Sequence, residues 1–430
     1  VPARIRHCVG IANLVHKRRN PPPGLTASFD AFAIAAPGVA PLLADELRAL
    51  DVPVREVSAA GVAFPASIGA LLHVNLWSRL ATRVIVRAAE FEARDFATLE
   101  KQAARVPWAT WIGSGTRVRF RVTCRKSRLY HSDAVAERIA RGVVGAVANV
   151  AVLSRAPEDD PADAESDASA VDDAQLIVVR FEHDHCTISV DSSGELLHRR
   201  GWRQAIAKAP LRETLAAAML AACEWNGEQP LVDPFCGSGT IGIEGALRAR
   251  RIAPGLTRRF ALERWPGVDP SWVAAQRDQA RSLARPAVGA PVILSDRDAG
   301  ACAAARANAE RAGVLTDLEI TQRSLSDVDL AALGARGLVL TNPPYGLRVS
   351  EGADLRALYA RLGDVVRSGG TAWQLALLVP DRRLAAPTRL SFDTLLRTSN
   401  GGIAVSVERS RGKSSGRAVV PSVTTDQARK

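Results

Sequence analysis

From about residue 206 the chain alternates short apolar runs with helical stretches, and this alternation limits its fold more than any other feature. PLVDPF (230–235) runs through CGSGT into IGIEGALRAR, and PVILSD (291–296) precedes a helical stretch over about 298–312. GLVLTNPPYG (337–346) precedes another over 353–368, and WQLALLVP (373–380) is a further apolar run. Serial strand–helix units predict a doubly wound, mostly parallel α/β sheet, because parallel strands need crossover helices that cover both faces. Ligands on such a sheet bind at the carboxyl ends of the strands. The residues that end each apolar run are therefore the candidates for chemistry.

The first run ends on Asp233, and Pro234, Phe235, Cys236, Gly237, Ser238, Gly239 and Thr240 follow. Two glycines let the backbone approach a ligand where a Cβ would clash. With Gly242 the loop also satisfies G-x-G-x-x-G, and Glu263 lies about twenty residues on, so a dinucleotide reading is available. Asp233 stands where a carboxylate would accept from a cationic amine, which favours the ammonium of S-adenosylmethionine over a pyrophosphate. Cys236 reads as a small residue beside the cofactor rather than as a nucleophile. The second run ends at Asp296, placed to accept from ribose hydroxyls; Asp298, at the start of the next helix, reads as an N-cap.

The most specific signal is Asn342-Pro343-Pro344-Tyr345 at the end of the third run. The lone pair of an exocyclic purine amine is delocalised into the ring. The Asn342 side-chain oxygen and the Pro343 carbonyl can each accept one N–H and turn the lone pair toward an electrophilic methyl. Pro344 stiffens the backbone, and Tyr345 offers a ring face for a flipped base. This chemistry needs no metal and no covalent enzyme intermediate.

The earlier part of the chain has a different grammar. Helical patterning in PGVAPLLADELRAL (37–50) and SIGALLHVNLWSRL (67–80) gives way to TRVRFRV (116–122), which alternates strictly. Val118, Phe120 and Val122 share one face of that strand, and Arg117, Arg119 and Arg121 share the other. Arg125, Lys126 and Arg128 follow, with Tyr130 and His131 beside them; Ser132 or Asp133 is placed to cap a helix carrying Val135, Ile139, Val143 and Val147. QLIVVRFEHD and HCTISVD read as a hairpin. Strands and helices mixed in this way predict an α+β region. His183, His185 and Cys186 resemble a metal cluster, but a turn intervenes between them.

Charge locates a partner only when it is read locally. The net charge of +11 is concentrated in two basic tails, residues 1–27 (+5) and 408–430 (+4), while residues 157–173 carry eight acids and no base, the composition of a solvated insertion. Residues 28–156 sum to +6, and six bases fall within 117–128. That stripe, next to Tyr130, points to RNA. Six scattered cysteines with no Cys-x-x-Cys pair suit a reducing, cytoplasmic compartment, and no apolar stretch approaches the roughly 18 residues of a membrane span.

Taken in order, LWSRLATRV (76–84), SRLYHSDA (127–134), LLHRRGWR (196–203), APLRETLAAA (209–218), VDPFCGSGT (232–240), IAPGL (252–256), ARANAERAG (305–313) and TNPPYG (341–346) resemble the bacterial THUMP-domain class I methyltransferases. They are most similar to the large-subunit ribosomal RNA guanine-N2 enzymes. The resemblance covers about residues 28–400. It implies a ferredoxin-like and THUMP region over 28–190 that holds RNA, a linker over 191–205, and a Rossmann-like methyltransferase domain over 206–407 that binds S-adenosylmethionine. By position it adds Pro210 and Thr214 to the cofactor contacts, with Asp233, Gly237 and Gly239 for the methionine moiety and Asp296 for the ribose. Ser324 stands near where the family often has an Asp toward the adenine amine. The implied reaction is methylation of guanine N2 in 23S rRNA. Guanine-N2 methylation of tRNA, adenine-N6 methylation of nucleic acid, protein-glutamine methylation and a non-catalytic assembly role are the alternatives.

Overall fold

The computed structural model describes residues 28–153, 173–204, 211–345 and 355–412. The basic tail at 1–27, the acidic insertion up to residue 172, Pro210, Gly346 and residues 413–430 lie outside the described residues.

The first half comprises β1 (Phe29–Ala35), α1 (Ala40–Ala49), β2 (Glu56–Ser58), β3 (Gly61–Ala66), α2 (Ile68–Trp77) and β4 (Ala81–Glu92). After these come α3 (Phe96–Ala103), β5 (Arg117–Arg125), α4 (Ser132–Ala146), β6 (Ala151–Val152), β7 (Gln175–Glu182) and β8 (His185–Asp191). All eight strands form one sheet in the order β2-β3-β1-β4-β8-β7-β5-β6. Antiparallel pairing of β4 with β8, from Ile85 opposite Asp191 to Glu92 opposite His185, joins the two parts of this half. β5 lies parallel to both β6 and β7. Its alternation places Val118, Phe120 and Val122 in the core, as the period-two pattern requires. The β7–β8 turn falls on His183 and Asp184, whose φ values of 52° and 64° are those of a tight hairpin turn. In α4 the cap differs from expectation. The N-cap falls on His131 without a side-chain bond, and Ser132 is already helical, while Val135, Ile139 and Val143 are buried as their spacing predicts.

The second half contains α5 (Glu213–Ala222), β9 (Leu231–Asp233), α6 (Thr240–Ala249), α7 (Pro270–Ser282), β10 (Val292–Asp296), α8 (Ala299–Arg311), β11 (Leu318–Gln322) and β12 (Arg336–Thr341). It continues through α9 (Leu355–Ser368), β13 (Ala372–Val379), β14 (Phe392–Asn400) and β15 (Ile403–Ser410). The sheet order is β11-β10-β9-β12-β13-β15-β14. Strands β9 to β13 are parallel, and β15 runs antiparallel to β13 and β14. The order reverses at β9, so the crevice above β9, β10 and β12 is the topological switch point. Strands β11, β14 and β15 are not evident from apolar runs: Ile320 is the one buried residue of β11, and β14 mixes polar with half-buried positions. Because β15 extends to Ser410 with Glu408 buried, the expected tail beginning at 408 starts inside the sheet.

The connection expected as a linker over 191–205 is packed. Asp191, Ser192 and Ser193 are buried, as are Leu197, His198, Arg200 and Trp202. Arg200 Nε lies 3.3 Å from Glu244 Oε1 on α6, and its Nη2 donates to the Arg79 carbonyl at 2.7 Å. Arg79 in turn lies 3.8 Å from the other Glu244 oxygen and donates to the Leu247 carbonyl at 3.1 Å. Arg83 pairs with buried Asp191. Arg258 donates to the carbonyls of Leu196 and Glu195, at 2.8 and 2.6 Å. A buried polar group is tolerated only when hydrogen-bonded, and these arginines meet that condition largely through backbone carbonyls on both sides of the junction. The two halves are thereby locked together.

Candidate active site

Asp233 ends β9 beneath the switch-point crevice and is 1% exposed. Its Oδ1 accepts from Thr341 Oγ1 at 2.6 Å and from the Phe235 N–H at 3.2 Å. Burial pushes this carboxyl up to about 7, against the pull of those two hydrogen bonds, and the nearby Asp296 charge adds to the rise. A cation delivered here would hold the carboxylate ionised.

The chain then turns through Gly237 (φ 51°) and Gly239 (φ 84°) into α6. A Cβ on Gly239 would stand 3.0 Å from that of Ala305. The Gly237 N–H donates to Asp296 Oδ2 at 3.1 Å, and Asp296 Oδ1 accepts from the Asp298 N–H at 3.0 Å. Asp296 is thus tied to the glycine turn, yet it is partly exposed and keeps lone pairs for a diol. Asp298 caps α8 by accepting from the Gly300 N–H at 2.7 Å. Thr240 opens α6, and its hydroxyl accepts from Arg203 Nη2 at 2.9 Å. Arg203 also lies 3.1 Å from buried Glu213, next to buried Thr214 at the start of α5. Cys236 is buried, and burial raises its thiol far above the ordinary range, so it is no nucleophile.

Glu263 takes no part. It pairs with Arg277 at 2.6 Å and accepts from the Phe260 N–H at 2.7 Å, fixing a turn before α7. The acid a dinucleotide reading requires is therefore not Glu263. Ser324 follows β11 and caps a short turn, its hydroxyl donating to Asp327 at 2.8 Å.

At the end of β12, Thr341, the residue before Asn342, Pro343, Pro344 and Tyr345, donates to Asp233. Asn342 Oδ1 is buried with no hydrogen-bond partner among the described residues. A buried carbonyl oxygen without a donor is costly, on the order of 1–3 kcal/mol, so an N–H brought to this one would relieve that cost. The Tyr359 hydroxyl, on α9, donates to the Pro344 carbonyl at 3.4 Å. Asn400 Nδ2 donates to Tyr345 Oη at 3.1 Å. Burial raises both phenols, and they stay neutral. Tyr359 and Asn400 escape a reading of motifs, whereas Thr341, Arg79, Arg83 and Arg200 fall inside the blocks TNPPYG, LWSRLATRV and LLHRRGWR without any local pattern assigning them these partners.

The basic stripe lies on the N-terminal sheet. Arg117, Arg125, Lys126 and Arg128 are exposed, whereas Arg119 and Arg121 are half-buried. Tyr130 is 66% exposed, its ring 4.0 Å from that of His131. Among the described residues no group of His, Cys, Asp or Glu is arranged to hold a metal, and no helix is long and apolar enough to cross a membrane.

The parallel sheet with its antiparallel final hairpin, and the acid and glycine turn at its switch point, define a class I S-adenosylmethionine-dependent methyltransferase. The residues are of the kinds that the cofactor needs: a buried acid able to face an ammonium, a glycine turn with left-handed backbone, and a partly exposed acid able to accept from a ribose.

Known proteins narrow the class. The family described as "RMKL-like, methyltransferase domain" matches residues 200–401, and the RlmL ferredoxin-like domain matches residues 30–85. The chain is 30% identical over 387 residues to slr0064 of Synechocystis sp., provisionally named an RNA methyltransferase, covering 88% of this chain and 97% of that protein. It is 36% identical over 394 residues to the ribosomal RNA large subunit methyltransferase K/L of Syntrophotalea carbinolica, covering 88% of this chain and 53% of that protein. Among solved structures it resembles SMU.472, a provisionally assigned methyltransferase complexed with SAH, with a TM-score of 0.77 and 26% identity over 90% of this chain and 99% of that one. The chain belongs to the RMKL-like methyltransferase family, and it spans about half the length of the K/L relatives that it matches.

Proposed function

We propose that the protein methylates the exocyclic N2 amine of a guanine in 23S ribosomal RNA, in the cytoplasm. The observation that carries this reading is the buried, unpartnered Asn342 oxygen at the end of β12, one residue from the Thr341 bond to Asp233. S-adenosylmethionine would supply an electrophilic sulfonium methyl. Asp233 would hold the ammonium and Asp296 the ribose, with Thr214, Cys236 and Thr240 around them. Asn342 Oδ1 and the Pro343 carbonyl accept the two amine N–H groups, and this geometry frees the nitrogen lone pair for in-line attack. Tyr345 stacks on the flipped base. The N–methyl bond would form as the sulfonium–methyl bond breaks, S-adenosylhomocysteine would leave, and the surplus amine proton would pass to water, so no side chain with a strongly shifted pKa has to remove it beforehand.

The RNA substrate is supported by the names of the relatives and by the basic stripe from Arg117 to Arg128 beside exposed Tyr130. The test is nucleoside mass spectrometry of rRNA and tRNA from a deletion strain. Loss of one N2-methylguanosine from 23S rRNA is expected. Loss of an N6-methyladenosine or of a tRNA methyl group instead would move the substrate, and unchanged nucleosides would remove the reading altogether.

A further inference from the structure

Asn400 ends β14 at the mouth of the β14–β15 hairpin, where Gly401 and Gly402 have φ of 55° and 80° and Ile403 pairs back across the turn. Two consecutive left-handed residues between antiparallel strands make a turn whose twist matches the strands, so the hairpin itself fixes Asn400. β15 runs antiparallel to β13 with Ser406 opposite Val379. The tip of the hairpin consequently stands at the edge of the sheet where β12 and β13 end, beside the Asn342–Tyr345 loop. There the Asn400 amide donates to the phenol oxygen of Tyr345 at 3.1 Å. The loop is held from a second side by Tyr359 on the Pro344 carbonyl. The tyrosine ring is thus anchored at its far end by one strand pair and at its backbone by α9, two supports that a stacking platform needs if a base is to meet it in one orientation.

We infer that Asn400 is a positioning residue for methyl transfer: it fixes the Tyr345 ring against which the target base stacks, without itself touching the cofactor. This rests on the role proposed for Tyr345. An amide donates to the phenol oxygen where a carboxylate could only accept, so Asn400→Asp reverses the polarity of the contact at nearly constant shape.

The chain has three tyrosines, Tyr130, Tyr345 and Tyr359, which makes carbon-13 labelling at tyrosine Cζ a direct probe. Tyr345→Phe identifies the Tyr345 resonance in the full chain. Asn400→Ala and Asn400→Asp are expected to move that resonance and leave Tyr130 in place, with S-adenosylhomocysteine affinity within about twofold of the starting protein by calorimetry. On RNA, Asn400→Ala is expected to lower kcat/KM about tenfold, the scale of one lost hydrogen bond. In a Tyr345→Phe background the same change is expected to have no further effect, because the residue acts through the phenol. An unmoved resonance overturns the inference whatever the substrate. So does a multiplicative loss in the double variant. If the unsubstituted protein methylates no RNA, the proposed function falls, and the resonance still decides whether Asn400 holds Tyr345.

Discussion

Asp233 illustrates how one buried carboxylate ties cofactor binding to pH. An aspartate in the unfolded chain ionises near 3.8, and in the folded protein burial moves this one to about 7. Between those values the folded state keeps a proton that the unfolded state has lost. The stability that Asp233 contributes is therefore complete below pH of about 4 and is lost as pH rises through about 7, a change of up to roughly 4 kcal/mol. Cofactor binding has the opposite sign, because an ammonium is held by the ionised form. Calorimetric titration between pH 5.5 and 7 is expected to show S-adenosylmethionine affinity rising by up to about tenfold per unit. Asp233→Asn should flatten that profile, weaken binding, and make the free protein more stable than the original at pH 8 by thermal unfolding. A pH-independent affinity in the original protein would refute this account. Asn342 belongs to the same scale. Asn342→Ala is expected to reduce kcat by about 10²–10³, as loss of one aligned group at a reacting centre does, while cofactor affinity by calorimetry stays within twofold.

The elements around the site are shaped by where a side chain cannot fit. Gly239 combines a left-handed backbone with 3.0 Å of clearance to the Ala305 Cβ. Gly242, one turn into α6, has Leu294 Cδ2 of β10 at 2.3 Å from where its Cβ would stand. The first glycine opens the turn and the second lets helix and strand approach. Their two substitutions should fail in different ways. Gly239→Ala is expected to cost about 1–2 kcal/mol of unfolding free energy in urea, through backbone strain, and to weaken cofactor binding. Gly242→Ala is expected to cost about 1–3 kcal/mol by overpacking. Its cofactor affinity should stay near that of the parent. Equal losses of affinity in both would show that the turn and the helix cannot be separated. The motif was legible in the sequence because glycine spacing survives any tertiary context, but the Leu294 contact that makes Gly242 necessary was not, since it joins residues on two different elements.

At the scale of the molecule, the junction between halves combines a continuous apolar core with a buried charge cluster. Glu244 has no side-chain exposure and faces both Arg79 and Arg200. Removing one member of a buried ion cluster leaves uncompensated charge, so Glu244→Ala is expected to lower stability by about 3–5 kcal/mol in equilibrium unfolding. A loss below about 1 kcal/mol would mean that backbone carbonyls alone hold the arginines. The division of labour between sequence and tertiary structure follows from range. Strand–helix alternation, the acid that ends β9, the glycine turn and the Asn-Pro-Pro-Tyr loop each lie within a few consecutive residues, and the sequence alone determined them along with the class of fold. Burial of Arg200 against Arg79 and Glu244, the fusion of the N-terminal strands into one sheet, the Thr341–Asp233 bond and the hold of Asn400 on Tyr345 join residues far apart in the chain. No local pattern encodes such pairs. They form only when folding removes water from both partners and leaves each the other's available hydrogen-bonding group.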